Sequence, residues 1–158
     1  MLKLNLGSGN NRMEGYVNID ITQRNHPVDL IHDLNTNLPY EPGSVDEMIA
    51  YHVVEHFRYN PLRARLAHWR TLLKVGGVLI IETPDSSKLL PIVVEKTSSG
   101  EEDWEWASWV LYAGEHGHRC ALTPAALRRL LGEGWAITEC EPQRPTGFPI
   151  FRFECIKV

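Results

Sequence analysis

Apolar residues recur along this chain in short runs that alternate between the two-residue spacing of strands and the three-to-four-residue spacing of helices. Strands are predicted at residues 2–6, 16–21, 29–33, 45–51, 77–83, 135–141 and 151–157, each short, apolar and bounded by turn residues or enriched in β-branched ones. A helix is predicted over Pro61–Leu73, where Leu62, Leu66, Trp69 and Leu73 share one face, Pro61 suits the first turn and Gly76 the stop. Another covers Thr123–Gly132, with a threonine cap, proline in the first turn and an inner stripe of Leu127, Leu130 and Leu131. The stretch 101–112 places three tryptophans behind an acidic cluster that suits a helix start. Trp106, Trp109 and Val110 either lie on the sheet or belong to a lid or dimer contact, and the preceding 95–100 segment reads as a mobile linker.

The spacing between strands sets the architecture. Nine residues, Gly7 to Gly15, join the first two strands, and seven, Thr22 to Val28, join the second to the third. A parallel crossover through a helix needs about a dozen residues, so these links are expected to be turns. The face of the sheet they cross is then exposed or covered by something else, and homodimerisation is one remedy. The last two strands form a hairpin whose loop, 142–149, leaves the sixth strand at the same edge as the first glycine turn. An α/β fold follows: seven strands, mostly parallel, the last antiparallel, with reduced helices in the N-terminal half.

A chain of 158 residues with 43% hydrophobic residues fits one domain, here 1–158. Its net charge of −4 supplies no basic field for long nucleic acid. Cys120, Cys140 and Cys155 show no C-x-x-C spacing, which argues against a zinc framework or disulfides. No apolar run approaches membrane-spanning length, and no leader precedes the first strand, so a soluble, cytoplasmic protein is expected.

The first strand, 2–6, runs directly into Gly7-Ser8-Gly9, and Asp20 ends the next apolar run. Glycines there let the backbone turn sharply beside a ligand, and a carboxylate one strand over can accept from two ribose hydroxyls. The dinucleotide fingerprint is not met: Arg12 stands where a third glycine is required, and Asp20 follows Gly9 by only eleven residues. A nicotinamide-dependent reductase is thereby disfavoured. A tight turn alone would not call for Asp20 and Asp33 at the ends of neighbouring strands, where carboxylates are costly unless something is bound or hydrogen-bonded.

This opening resembles the first motif of the class I S-adenosylmethionine-dependent methyltransferases, of the small, type 11-like kind. The likeness continues through 28–34, 45–56 and 72–82, where Gly76-Gly77 precedes the fifth strand and Val75 departs from the usual proline. It covers roughly the first 85 residues and persists loosely in His116-Gly117-His118-Arg119 and the following helix. The resemblance implies a Rossmann-like fold and S-adenosylmethionine as cofactor. It places Gly7, Ser8 and Gly9 at the amino-acid half, Asp20 with Ile21 at the ribose, and Asp33 with Leu34 at the adenine. Arg12 would pair with the cofactor's carboxylate, and His52 would stand beside the methyl group.

Methyl transfer from a sulfonium is an in-line displacement that mainly requires alignment, but an oxygen or nitrogen acceptor must also lose a proton. His52 is the candidate base; its duller reading is a helix start. His56, Asp85, His116, His118 and Arg119 are candidates for binding a small-molecule or glycan-like acceptor. His116 and His118 with Arg119 could instead hold a metal or form a polar loop; two histidines fall short of the three or four ligands of a zinc site, so no metal is expected. A module that binds the cofactor without catalysis is the alternative.

Overall fold

The computed structural model describes residues 1–23, 27–112, 117–143 and 147–158. The strands are β1 (Lys3–Leu6), β2 (Val17–Asp20), β3 (Leu30–Ile31), β4 (Val45–Tyr51), β5 (Leu73–Pro84), β6 (Trp135–Cys140) and β7 (Ile150–Lys157). They form one sheet in the order β3-β2-β1-β4-β5-β7-β6. The first five pair in parallel, and β7 runs antiparallel to both β5 and β6. This is the Rossmann-like arrangement expected from the sequence. Four α-helices appear among the described residues: α1 (Tyr59–Leu72), α2 (Ser86–Ser99), α3 (Trp104–Tyr112) and α4 (Pro124–Leu131).

The parallel register puts Leu4, Met48 and Leu79 in one row and Leu6, Ala50 and Ile81 in the next. This face is dry. Leu62, Leu66 and Trp69 of α1 and Leu127, Leu130 and Leu131 of α4 join those rows, with Phe153 and Cys155, in a single core cluster. Thr123 caps α4 as its sequence suggests, accepting the Ala126 N–H at 3.1 Å, and Pro124 sits in the first turn. Helix α1 ends one residue early, because Leu73 is extended and pairs with Val45.

The opposite face explains how the short crossovers are tolerated. It carries Asn5 and Asn18 side by side, and Asn18 is fully buried. The Asn18 amide oxygen accepts from Asn5 Nδ2 and from the Met13 N–H, each at 2.8 Å, while its Nδ2 donates to the Asp29 carboxylate at 2.9 Å. The turn-like link therefore packs on the sheet through hydrogen bonds in place of a helix. Lys3 and Tyr16 continue this polar covering through Glu47. Farther along the same face, Ala136, Thr138 and Ile156 are exposed.

Three expectations are corrected. The supposed linker at 95–100 is mostly the last turn of α2, which ends at Gly100 with φ of 76°. Pro91 inside α2 obscured the helix, since proline removes a backbone donor there. Trp106 and Val110 pack with Ala107 against Leu89 and Val93 of α2, whereas Trp109 is exposed, so α3 lies on α2 and not on the sheet. The third strand contracts to two residues, which leaves Asp33 beyond its end.

Candidate active site

The carboxyl ends of the N-terminal parallel strands open into a cleft of about 510 Å³, a volume ordinary for a small-ligand site. Its wall includes Gly7, Gly9, Asp20, Ile21, Asp33, Leu34, His52, His56 and Arg119. Gly7 and Gly9 both have left-handed φ, 61° and 52°. A Cβ on Gly7 would stand 2.6 Å from Val53 Cγ2, so this position admits no side chain without displacing the turn after β4. A Cβ on Gly9 would meet nothing within 4 Å, which leaves open space above the backbone for a ligand.

Asp20 is held by its own backbone surroundings. One carboxylate oxygen accepts the Gly9 N–H at 2.7 Å and the other the Ile21 N–H at 2.8 Å. A carboxylate has about four lone-pair sites, so acceptor capacity remains for a diol. Asp33 accepts from the Asn35 backbone and side-chain amides, both at 2.9 Å, and these bonds hold its carboxyl below the usual range. The pocket thus fits a nucleoside: one carboxylate at the end of β2 and one just beyond β3, both fixed by hydrogen bonds, stand with the open backbone of Gly9 in one wall.

Other sequence candidates are placed differently. Arg12 pairs with Asp29 at 2.9 Å and donates to the Pro27 carbonyl at 3.1 Å, away from the cleft wall. Ser8 is buried beside the turn. Asp85 is buried and caps α2, accepting the Ser87 N–H at 3.0 Å. His116 lies outside the described residues. His118 borders an adjoining cleft of about 220 Å³, which it shares with Glu55 and Arg119.

His52 occupies the turn after β4 with φ of 55°, the one positive value at a non-glycine among the described residues. Strained backbone of this kind persists only where the surroundings enforce it. Here the His52 N–H donates to the Glu82 carbonyl at 2.8 Å, and Nδ1 stands 3.4 Å from Glu55 Oε1. Glu55 is buried, and its second oxygen accepts from Thr83 Oγ1 at 2.9 Å. His52 Nε2 is buried with no hydrogen-bond partner among the described residues. Thr83 thus holds Glu55 close to an imidazole whose far nitrogen is unengaged. Spacing did not connect these residues, because Thr83 comes from the end of β5 and Glu55 from the 3-10 turn Val54–His56. Their shared signal is polar residues at the ends of adjacent apolar strands.

A second buried group braces the same rim. Arg152 Nη1 lies 3.7 Å from Glu82 Oε2 and donates to the Tyr51 hydroxyl at 3.2 Å, while the Gln143 N–H donates to Glu82. Gln143 lies in the β6–β7 loop, so that loop is tied to the strand ends on which His52 stands. Its residues 144–146 lie outside the described residues.

A family model described as a methyltransferase domain matches residues 9–137. The chain belongs to the methyltransferase-domain family. Solved structures agree on the fold. An S-adenosylmethionine-dependent methyltransferase from Archaeoglobus fulgidus superposes with a TM-score of 0.70 at 14% identity, covering 98% of this chain and 85% of that one. One from Mesorhizobium loti gives 0.66 at 11% identity, covering 99% and 90%. Magnesium protoporphyrin IX methyltransferase from Synechocystis, with bound S-adenosylhomocysteine, gives 0.63 at 18% identity, covering 100% and 74%. The first two of these proteins are S-adenosylmethionine-dependent and the third holds S-adenosylhomocysteine. Comparison with curated proteins finds no match. Among the described residues of this methyltransferase-domain chain, no helix is long and apolar enough to cross a membrane.

Proposed function

We propose that this protein binds S-adenosylmethionine in the 510 Å³ cleft and methylates an oxygen or nitrogen of a small-molecule or glycan-like acceptor. The observation that carries this reading is Asp20, poised at the end of β2 and bonded to the turn after β1. When bound, the cofactor supplies a methyl group already activated on a sulfonium. The chain's residues then have three tasks. Asp20 and Asp33 hold the nucleoside, Gly9 keeps the wall open, and Gly7 lets the turn pass close to Val53. His52, standing beside Glu55 on the cleft wall, takes the acceptor's proton. His56 and Arg119 line the space in which an acceptor would stand.

Isothermal titration of the full chain with S-adenosylmethionine and S-adenosylhomocysteine, with reduced dinucleotide as control, tests the reading. Saturable, one-to-one binding of the first two and none of the third is expected. Absence of binding to either sulfur nucleoside would overturn it.

A further inference from the structure

We propose a divalent-cation site of the zinc class formed by Glu55, His56 and His118, in the wall between the 510 Å³ cleft and the 220 Å³ cleft. One ligand atom from each residue lies within 4.8 Å of the others. Two imidazoles and a carboxylate with an open position form a recognised donor set for catalytic zinc. Tetrahedral donors on roughly 2.1 Å bonds stand about 3.4 Å apart, so modest side-chain rotation closes the site.

The second observation is the state of Glu55. The residue is 2% exposed, and Oε1 has no hydrogen-bond partner among the described residues. His52 Nδ1 stands 3.4 Å from it, beyond the usual range for such a bond. A buried carboxylate is costly unless a charge or donors compensate it, and the His56 and His118 rings stand beside it. Those rings meet edge to face with centroids 5.1 Å apart. The His118 backbone N–H donates to the Tyr112 carbonyl at 2.9 Å, which fixes the segment that carries the ring. The 3-10 turn Val54–His56 presents Glu55 and His56 from one side, and the segment before α4 presents His118 from the other.

Cation binding here does not depend on the methyl-transfer reading. Where that reading holds, the fourth position offers a Lewis acid to an acceptor hydroxyl and would favour its ionised form.

Equilibrium dialysis of the full chain against Zn²⁺, read by elemental analysis, tests the site. One tightly held zinc per chain is expected. His118→Ala and His56→Ala should each weaken it by about 100-fold or more, since loss of even an outer support costs 10–100-fold. His32→Ala, outside the cluster, should leave it intact. Glu55→Gln should weaken it likewise, and His118→Ala, at a half-buried position, keeps the test decisive if the Glu55 variant fails to fold. With Co²⁺ the absorption spectrum should show nitrogen and oxygen ligation, unchanged in Cys120→Ser. No stoichiometric uptake, uptake that survives both histidine substitutions, or a thiolate charge-transfer band would each overturn the proposal. Sulfur-nucleoside binding by the same preparations separates this outcome from failure of the cofactor reading.

Discussion

The Asp20 carboxylate accepts the Gly9 backbone N–H at 2.7 Å, joining the end of β2 to the turn that follows β1. Two short strands and a turn are thereby locked in the geometry that a ribose would meet. Asp20→Ala removes two charge-assisted acceptors from that position. It should weaken S-adenosylmethionine binding by about 100-fold, on roughly 1.5 kcal/mol for each such bond. Calorimetry checks this, with the thermal midpoint as a control for folding.

His52 combines a positive φ with an unengaged Nε2. His52→Ala should lower kcat by about 100-fold, the low end for loss of a general base, and leave cofactor affinity nearly unchanged. His52→Gly should be equally inactive yet more stable than the alanine variant by about 1 kcal/mol, because glycine adopts this φ without strain. Kinetics and urea unfolding of the pair separate the chemical role from the conformational one.

Asn18 substitutes for the missing crossover helix by holding the 10–16 link to the sheet. Asn18→Ala leaves the Asn5 amide and the Met13 N–H without their acceptor and should cost about 2–3 kcal/mol. A lower urea midpoint with an unchanged slope would show it. An unchanged midpoint would mean that the link is held by other contacts.

His68 gives the fold an acid sensitivity. Its Nε2 accepts the Leu38 N–H at 3.0 Å, and burial holds its pKa below the ordinary 6.5. The unfolded chain therefore takes up the proton first. This contribution is complete above pH 6.5 and is lost as pH falls through the lower folded value. Urea midpoints should drop between pH 7.5 and 5.5, and His68→Gln should flatten the drop.

Thiol reactivity should follow burial. The Cys155 thiol is pushed up to about 12 and that of Cys120 to about 11, both chiefly by burial. Iodoacetamide at pH 8 should modify Cys140 first in the folded protein, as read by peptide mass spectrometry. Prompt labelling of Cys155 would indicate opening of the core beneath α4.

The sequence carried the architecture wherever a local pattern had one solution. Leu62, Leu66 and Trp69 could be inner only as one face of a helix, and Gly7-Ser8-Gly9 after a strand could only turn. The brevity of the 7–15 link foretold a missing helix, and Asn18 shows how it was replaced. Contacts between distant segments were illegible. Glu55 reads as one acid in a polar run, and only the register of β4 against β5 brings it to Thr83. Arg12 looked aimed at the pocket, yet Asp29 across the link claims it. Helix α2 escaped notice because Pro91 breaks the pattern that otherwise places Leu89 and Val93 inward.

The β6–β7 end of the sheet tolerates sequence change unevenly. Along β6 and β7, Ile137, Phe153 and Cys155 belong to or pack against the core, while Ala136, Thr138 and Ile156 between them face water. Substitutions should be felt at the core positions and at Arg152, which is buried on the outer face, and pass almost unnoticed at Ala136, Thr138 and Ile156. Beside the short crossovers the same face is held by buried Asn5 and Asn18, so only its β6–β7 end is free to drift.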